Sequence, residues 1–158
     1  MTRILRYAFI MAWMAAFAVE QADSATLRYR QSGDWTQISD GSTAGWANNN
    51  GSPSGALPGA SDAGRINFGN NTVTVTSSVP AVSRVQIGVD ESGIVRVQSG
   101  GVLTANLDIL AGNNNPNATG TLVVEDGGTV DIGRIFWTAN ENATGVVDIQ
   151  SGGVVNVA

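Results

Sequence analysis

The side chains able to do chemistry are few and of limited kinds. Carboxylates stand at Asp90-Glu91, Glu125-Asp126, Asp108, Asp131 and Asp148, and guanidinium groups at Arg28, Arg30, Arg65, Arg84, Arg96 and Arg134, among many hydroxyls and amides. A converging pair of carboxylates would serve as general acid and base for glycoside hydrolysis, and a larger cluster would hold calcium. Lysine, histidine and cysteine are all absent. Their absence excludes Ser-His-Asp and Cys-His triads, lysine Schiff bases and Cys/His zinc sites, and no cofactor is expected. A net charge of −5 with scattered arginines argues against nucleic acid, which needs clustered positive charge.

Whether the carboxylates meet depends on the elements that carry them. The 158 residues fit one domain, and only 13% are charged where about 25% is usual. With 42% hydrophobic residues and 20 glycines among many Asn, Thr, Ser and Val, the composition suits short β-branched strands punctuated by tight turns. Residues 1–25 stand apart. Arg3 and Arg6 precede an apolar run from Tyr7 to Ala18, followed by the polar Glu20, Gln21 and Asp23, the layout of a secretory signal peptide. The run is shorter than the about 20 residues that span a bilayer, so no integral membrane span is expected after cleavage. An exported chain without cysteine must be stabilised by burial and backbone pairing.

Gly-Gly pairs at Gly100-Gly101, Gly127-Gly128 and Gly152-Gly153 lie 27 and 25 residues apart. Aligned on Gly93, Gly120 and Gly145, the units read Gly-Ile-Val-Arg-Val-Gln-Ser-Gly-Gly, Gly-Thr-Leu-Val-Val-Glu-Asp-Gly-Gly and Gly-Val-Val-Asp-Ile-Gln-Ser-Gly-Gly. Gly64-Arg65-Ile66-Asn67-Phe68 extends the frame backwards, with Asn70-Asn71 in place of Gly-Gly. Apolar residues alternate within each unit, the signature of a half-buried strand. A first strand would turn Ile66 and Phe68, Val95 and Val97, Leu122 and Val124, and Val147 and Ile149 inward. A second would offer Val73 and Val75, Leu103 and Ala105, Val130 and Ile132, and Val155 and Val157. A third runs around Val85-Ile87, Leu107-Ile109 and Ile135-Trp137. Three strands in 25 to 29 residues describe one coil of a parallel β-solenoid, in which stacking pairs every strand with its equivalent. Corner glycines supply the positive φ that turns require.

The chain thus divides into residues 1–25 (signal peptide), 26–63 (an N-terminal cap) and 64–158 (about three and a half coils, the last of which reads as truncated at Ala158). Trp35 and Trp46 are expected to cover the first coil, since an uncovered coil end exposes interior and open edges. In the closing loops Asn113 aligns with Asn140 and Asn115 with Asn142. Stacked amides can bond up the axis as an asparagine ladder, although tolerance of turn geometry alone also accounts for these residues.

In this frame the carboxylates do not converge. Asp148 stacks beneath Val123 and Arg96, Asp131 lies between Thr104 and Asn156, and Asp108 has no acidic partner. The calcium-binding nonapeptide is missing after each Gly-Gly. Thr72-Val73-Thr74-Val75-Thr76 resembles the threonine rows of ice-binding solenoids, but Thr74 is followed down the stack by Thr104, Asp131 and Asn156, which ends the row. Trp137 is expected to pack inward; an outward indole would offer a sugar an aromatic platform.

The order of export signal, Gly33-Asp34-Trp35, Trp46, Pro58-Gly59-Ala60-Ser61-Asp62 and Gly-Val-Val-x-Ile-x-Ser-Gly-Gly units resembles bacterial exported β-helix proteins. These include autotransporter-passenger-like proteins and surface proteins with a PEP-CTERM sorting signal. The resemblance implies an all-β, right-handed parallel β-helix, secreted or displayed at the cell surface or in the extracellular matrix. The expectation is a structural or adhesive protein without catalysis of its own, with extracellular polysaccharide or neighbouring copies of itself as partners. The alternative is the N-terminal part of a carbohydrate-active β-helix enzyme or a carbohydrate-binding module.

Overall fold

The computed structural model describes residues 25–40 and 42–158, so the expected signal peptide lies, but for Ala25, outside the described residues. The strands are β1 (Thr26–Arg30), β2 (Gly33–Asp34), β3 (Gly45–Asn48), β4 (Ala63–Ile66), β5 (Asn71–Val75), β6 (Val82–Ile87), β7 (Gly93–Val97), β8 (Val102–Ala111), β9 (Thr119–Val124), β10 (Thr129–Ile132), β11 (Ile135–Thr138), β12 (Thr144–Ile149) and β13 (Val154–Val157). Among the described residues there is no helix. The chain alternates between two sheets as it winds, and the fold is a β-solenoid.

A five-stranded sheet stacks β2, β5, β7, β9 and β12, every pair parallel. An eight-stranded sheet runs β3, β1, β4, β6, β8, β10 and β13, with β11 also on β8. Its pairs are parallel except β1 with β3. Val73, Val75, Val95, Val97, Leu122 and Val124 from the first sheet meet Ile66, Val85, Ile87, Leu103, Ile109 and Val130 from the second, all with no exposed surface. Each such side chain stabilises the fold by about 1.5 to 3 kcal/mol relative to an exposed position. Alternating burial, such as that of Gly93–Val97, follows from the pleat, which sends successive side chains to opposite faces.

The structure corrects the repeat frame before Gly93. Asn71, not Gly64, pairs with Gly93, and Val73 and Val75 stack on Val95 and Val97 in the five-stranded sheet. Gly64 instead pairs with Val85 in the eight-stranded sheet. The threonine row changes with it: Thr74 lies in register with Arg96, and Thr104 heads a separate row over Asp131 and Asn156. Phe68 and Asn67 exchange their expected places. Asn67 is buried, its side-chain amide donating to Asp90 at 3.0 Å, while Phe68 stays half-buried with the Arg28 guanidinium 5.6 Å from its ring centre. The cause is local: β4 ends at Ile66, so the alternation of a strand no longer governs the two residues that follow.

The second and third strands expected in each coil are partly fused. Val102–Ala105 of β8 pairs with β10, and Asp108–Ala111 of the same strand pairs with β6 and β11. Between them the register with β6 shifts, from Val82 opposite Ala105 to Arg84 opposite Asp108. That step bends the strand, as an extra residue on one side of a ladder does.

Residues 26–63 contain more of the solenoid than expected. β1 and β2 join the two sheets in parallel with β4 and β5, and β3 then folds back antiparallel on β1, occupying the sheet edge. Trp35 and Trp46 have no exposed surface; their ring centres lie 4.7 Å apart and the Trp46 indole N–H donates to the Trp35 carbonyl at 2.7 Å. A Cβ on Gly64 would come within 2.9 Å of the Trp46 ring, so the small residue makes room for the indole. Tyr29 meets Trp46 edge to face at 5.1 Å and donates its hydroxyl to the Asp34 carbonyl. Burial, and then the charge of Asp34, push the phenol well above its ordinary pKa.

Candidate functional site

The outer face of β1, β4, β6, the second half of β8 and β11 brings arginines from several coils together with the buried Asp108. Two rows of outward residues cross it. Arg28, Arg65, Gln86, Leu110 and Trp137 lie in register from coil to coil, and beside them run Ala63, Arg84, Asp108 and Ile135. Trp137 therefore points away from the interior, contrary to the inward packing expected, and is 44% exposed. Its neighbour Phe136 takes the inward place against the core. Period-two alternation decides the outcome: in β11 one of the two aromatics must face out.

Asp108 is the centre of the second row. Its side chain is only 5% exposed, and two arginines hold it. Arg134 donates Nε to Oδ1 at 2.9 Å and a terminal nitrogen to Oδ2 at 2.6 Å, whereas Arg84 donates Nε to Oδ2 at 3.1 Å, with a terminal nitrogen in ion-pair range of the same oxygen at 3.1 Å. The hydrogen bond from Arg134 foremost, with the charges of both arginines, outweighs burial and holds the carboxyl below its ordinary range. The same bond raises the Arg134 guanidinium. Sequence reading missed this trio. Its signal lay in the register of Arg84 with Asp108, which the backward extension from Gly64 obscured.

Toward the N-terminal coils, Arg28 and Arg65 stack directly on one another, with Asp90 at 3.8 and 3.7 Å. Arg65 also donates Nε to Gln86 at 3.0 Å. Burial, then the charge of Arg28, lowers the Arg65 pKa, with Asp90 opposing. Across the bend in β8, Thr104, Asn106, Asp131, Gly133 and Asn156 line a shallow depression of about 340 Å³. Asp131 does lie between Thr104 and Asn156, and accepts from the Asn156 amide at 2.8 Å.

Two of the remaining carboxylates expected at turns, Glu91 and Glu125, have partners of their own. Glu91 accepts from the Gly69 amide at 2.7 Å, and Glu125 pairs with Arg96 at 2.6 Å over Val123. Among the described residues no three acidic side chains converge. At the Gly-Gly corners the first glycine of each pair takes the left-handed conformation, with φ of 79° at Gly100, 74° at Gly127 and 86° at Gly152, while Gly101, Gly128 and Gly153 do not. A Cβ on Gly101 or Gly128 would come within 2.2 or 2.5 Å of the previous coil's carbonyl oxygen, that of Val75 or Val97, and one on Gly153 within 2.6 Å of the carbonyl of Val124. The two glycines of a pair are thus needed for different reasons, conformation and closeness.

Of the asparagines, Asn140 donates its side-chain amide to the Asn113 side-chain oxygen at 2.8 Å, one step of a ladder. Asn115 instead donates to the Asp90 carbonyl and accepts from the Asn117 amide, and Asn142 sits at a φ of 67°. The closing loop from Asn113 to Gly120 is longer than that from Asn140 to Gly145, so alignment of its middle residues does not bring them together.

Chemically, the arrangement offers a half-exposed indole on the same face as guanidinium groups pinned by a buried carboxylate. Such a surface suits recognition of a flat, hydroxylated or charged chain better than proton transfer, because Asp108 has its oxygens occupied. Comparison with protein-family models, with curated proteins and with solved structures finds no match to this chain.

Proposed function

We propose that this chain is an exported bacterial structural or adhesive protein, a β-solenoid whose work is extension, scaffolding or attachment without catalysis of its own. The observation that carries the reading is the coil-on-coil stacking of both sheets around one apolar interior, with the buried Asp108 committed to Arg84 and Arg134. A solenoid lengthens by adding coils, and its outer face repeats at the rise of one coil, which suits a long polymeric partner such as extracellular polysaccharide or another copy of itself. The basic, apolar and small-polar zones of residues 1–25 support export. The test is fractionation of bacteria producing the epitope-tagged chain. The tag is expected outside the cytoplasm on a product that has lost its N-terminal segment by cleavage within residues 1–25; an intact N-terminus retained in the cytoplasm would overturn the reading.

A second reading, the N-terminal part of a carbohydrate-active enzyme or a carbohydrate-binding module, is favoured by one observation, the outward, 44% exposed Trp137 on the face that carries the Asp108 arginines. Release of reducing or unsaturated ends from polysaccharide by this chain would support the enzyme over the scaffold.

A further inference from the structure

Charge is unevenly divided over this molecule. The outer face of β1, β4, β6, the second half of β8 and β11 carries the guanidinium groups of Arg28, Arg65, Arg84 and Arg134 against the carboxylates of Asp90 and Asp108. Positive groups thus gather on this face, in a chain whose net charge is −5. Like charges directly opposite on neighbouring strands destabilise a sheet. Yet Arg28 lies opposite Arg65, and Asp90 reaches both at 3.8 and 3.7 Å, one carboxylate shared by two guanidinium groups. At the far end the cationic groups are both exposed and held still. Arg134 is 53% exposed and Arg84 33%, and both are held on Asp108, Arg134 by two hydrogen bonds and Arg84 by one. Trp137, one coil step beyond Leu110, closes the row with an indole 44% exposed.

We propose that this face binds an acidic polysaccharide, a polyuronate, with its chain lying along the solenoid axis, the Trp137 indole against a sugar ring and the outer edges of Arg134 and Arg84 on sugar carboxylates. The proposal rests on the adhesive reading above and names its ligand class. A planar carboxylate matches the paired donors of a guanidinium, and an indole stacks on the C–H face of a pyranose. Strands in a sheet are spaced about 4.8 Å apart, close to the length of one pyranose in an extended glycan, so successive coils meet successive sugars. The face looks outward from the solenoid, and a further coil stacked on β11 would extend it and leave it uncovered.

The experiment is calorimetric titration of the full chain with alginate oligosaccharides and with neutral cello-oligosaccharides, at low and at high salt. Alginate binding that weakens about tenfold or more at high salt is expected, with none to the neutral glucan. Trp137→Ala and Arg134→Gln each weaken it by about tenfold or more, Trp137→Phe retains most of it, and Arg96→Gln on the opposite sheet leaves it unchanged. Circular dichroism matching the parent shows that the variants fold. Absence of alginate binding, or binding that survives both Trp137→Ala and Arg134→Gln, overturns the proposal. Equal binding of the neutral glucan that is lost with Trp137→Ala also overturns it, while leaving the adhesive reading intact; failure of export is read separately by fractionation.

Discussion

Asp108 shows how one buried residue joins three coils. Its carboxylate is held from the preceding coil by Arg84 and from the following one by Arg134. Asp108→Asn removes the charge and leaves two guanidinium groups facing each other, and about 2 kcal/mol of stability should be lost in urea unfolding at neutral pH. The pH dependence has a definite sign. The folded carboxyl is held below the ordinary value of about 3.9, so its contribution is complete above that value and disappears as pH falls through the lower folded one. The parent is therefore expected to lose stability in that acid range, and Asp108→Asn to lose less of it; an unchanged acid profile in the variant would show that the trio contributes nothing. The sequence disclosed this residue only in part. That Asp108 lacks an acidic partner follows from the repeat, but its arginines do not. Arg84 sits in a coil whose frame is shorter than the later ones, and Arg134 precedes its strand, where no periodicity applies. The bond between Asn113 and Asn140, by contrast, was legible, because both follow a strand end by the same count.

At the scale of elements, the glycines used to align the units mark where the two sheets come closest. Gly93, Gly120 and Gly145 lie at the starts of strands of the five-stranded sheet, against the ends of strands of the eight-stranded one. A Cβ on Gly120 would stand 2.1 Å from the Ile87 carbonyl oxygen and 2.2 Å from the Gly112 nitrogen, both backbone atoms that cannot turn aside. Gly88 and Gly112 meet this corner from the other side at φ values of 67° and 80°. Gly120→Ala is thus expected to cost about 3 kcal/mol or prevent folding, whereas Gly100→Ala meets open space and pays only for its φ of 79°. Comparing the two midpoints of thermal unfolding tests this, and equal losses would show that conformation rather than closeness governs the glycines. These elements were legible from Gly93 onward because Gly-Gly pairs and alternating apolar residues repeat there at nearly constant spacing. Before Gly93 the steps between paired strands are uneven: Gly64 reaches Val85 and Asn71 reaches Gly93, while Thr26 reaches only Ala63 because the β3 segment intervenes. A fixed period cannot register such steps.

For the whole molecule, the two ends of the stack differ in cover. At the N-terminal end β3 lies antiparallel along β1, and Trp35, Trp46 and Tyr29 fill the first coil. At the other end β12 and β13 have a neighbour on one side only. Ile149 is 49% exposed and Val157 51%, although both continue inward rows that are buried at Val124 and Ile132 in the preceding coil. Unpaired backbone groups beside apolar side chains form a template for another chain's strands, and burying them removes that cost. The 158-residue chain is accordingly expected to self-associate, with a light-scattering mass that rises with concentration. Val155→Lys places a charge on the half-buried inward row of β13, at the mouth of the stack, and should shift the mass toward the monomer while leaving Trp137 and Arg134 unaltered. A parent that stays monomeric across the concentration range would mean that the open coil protects itself, through twist or through the Asp148, Asn156 and Gln150 side chains along its edge.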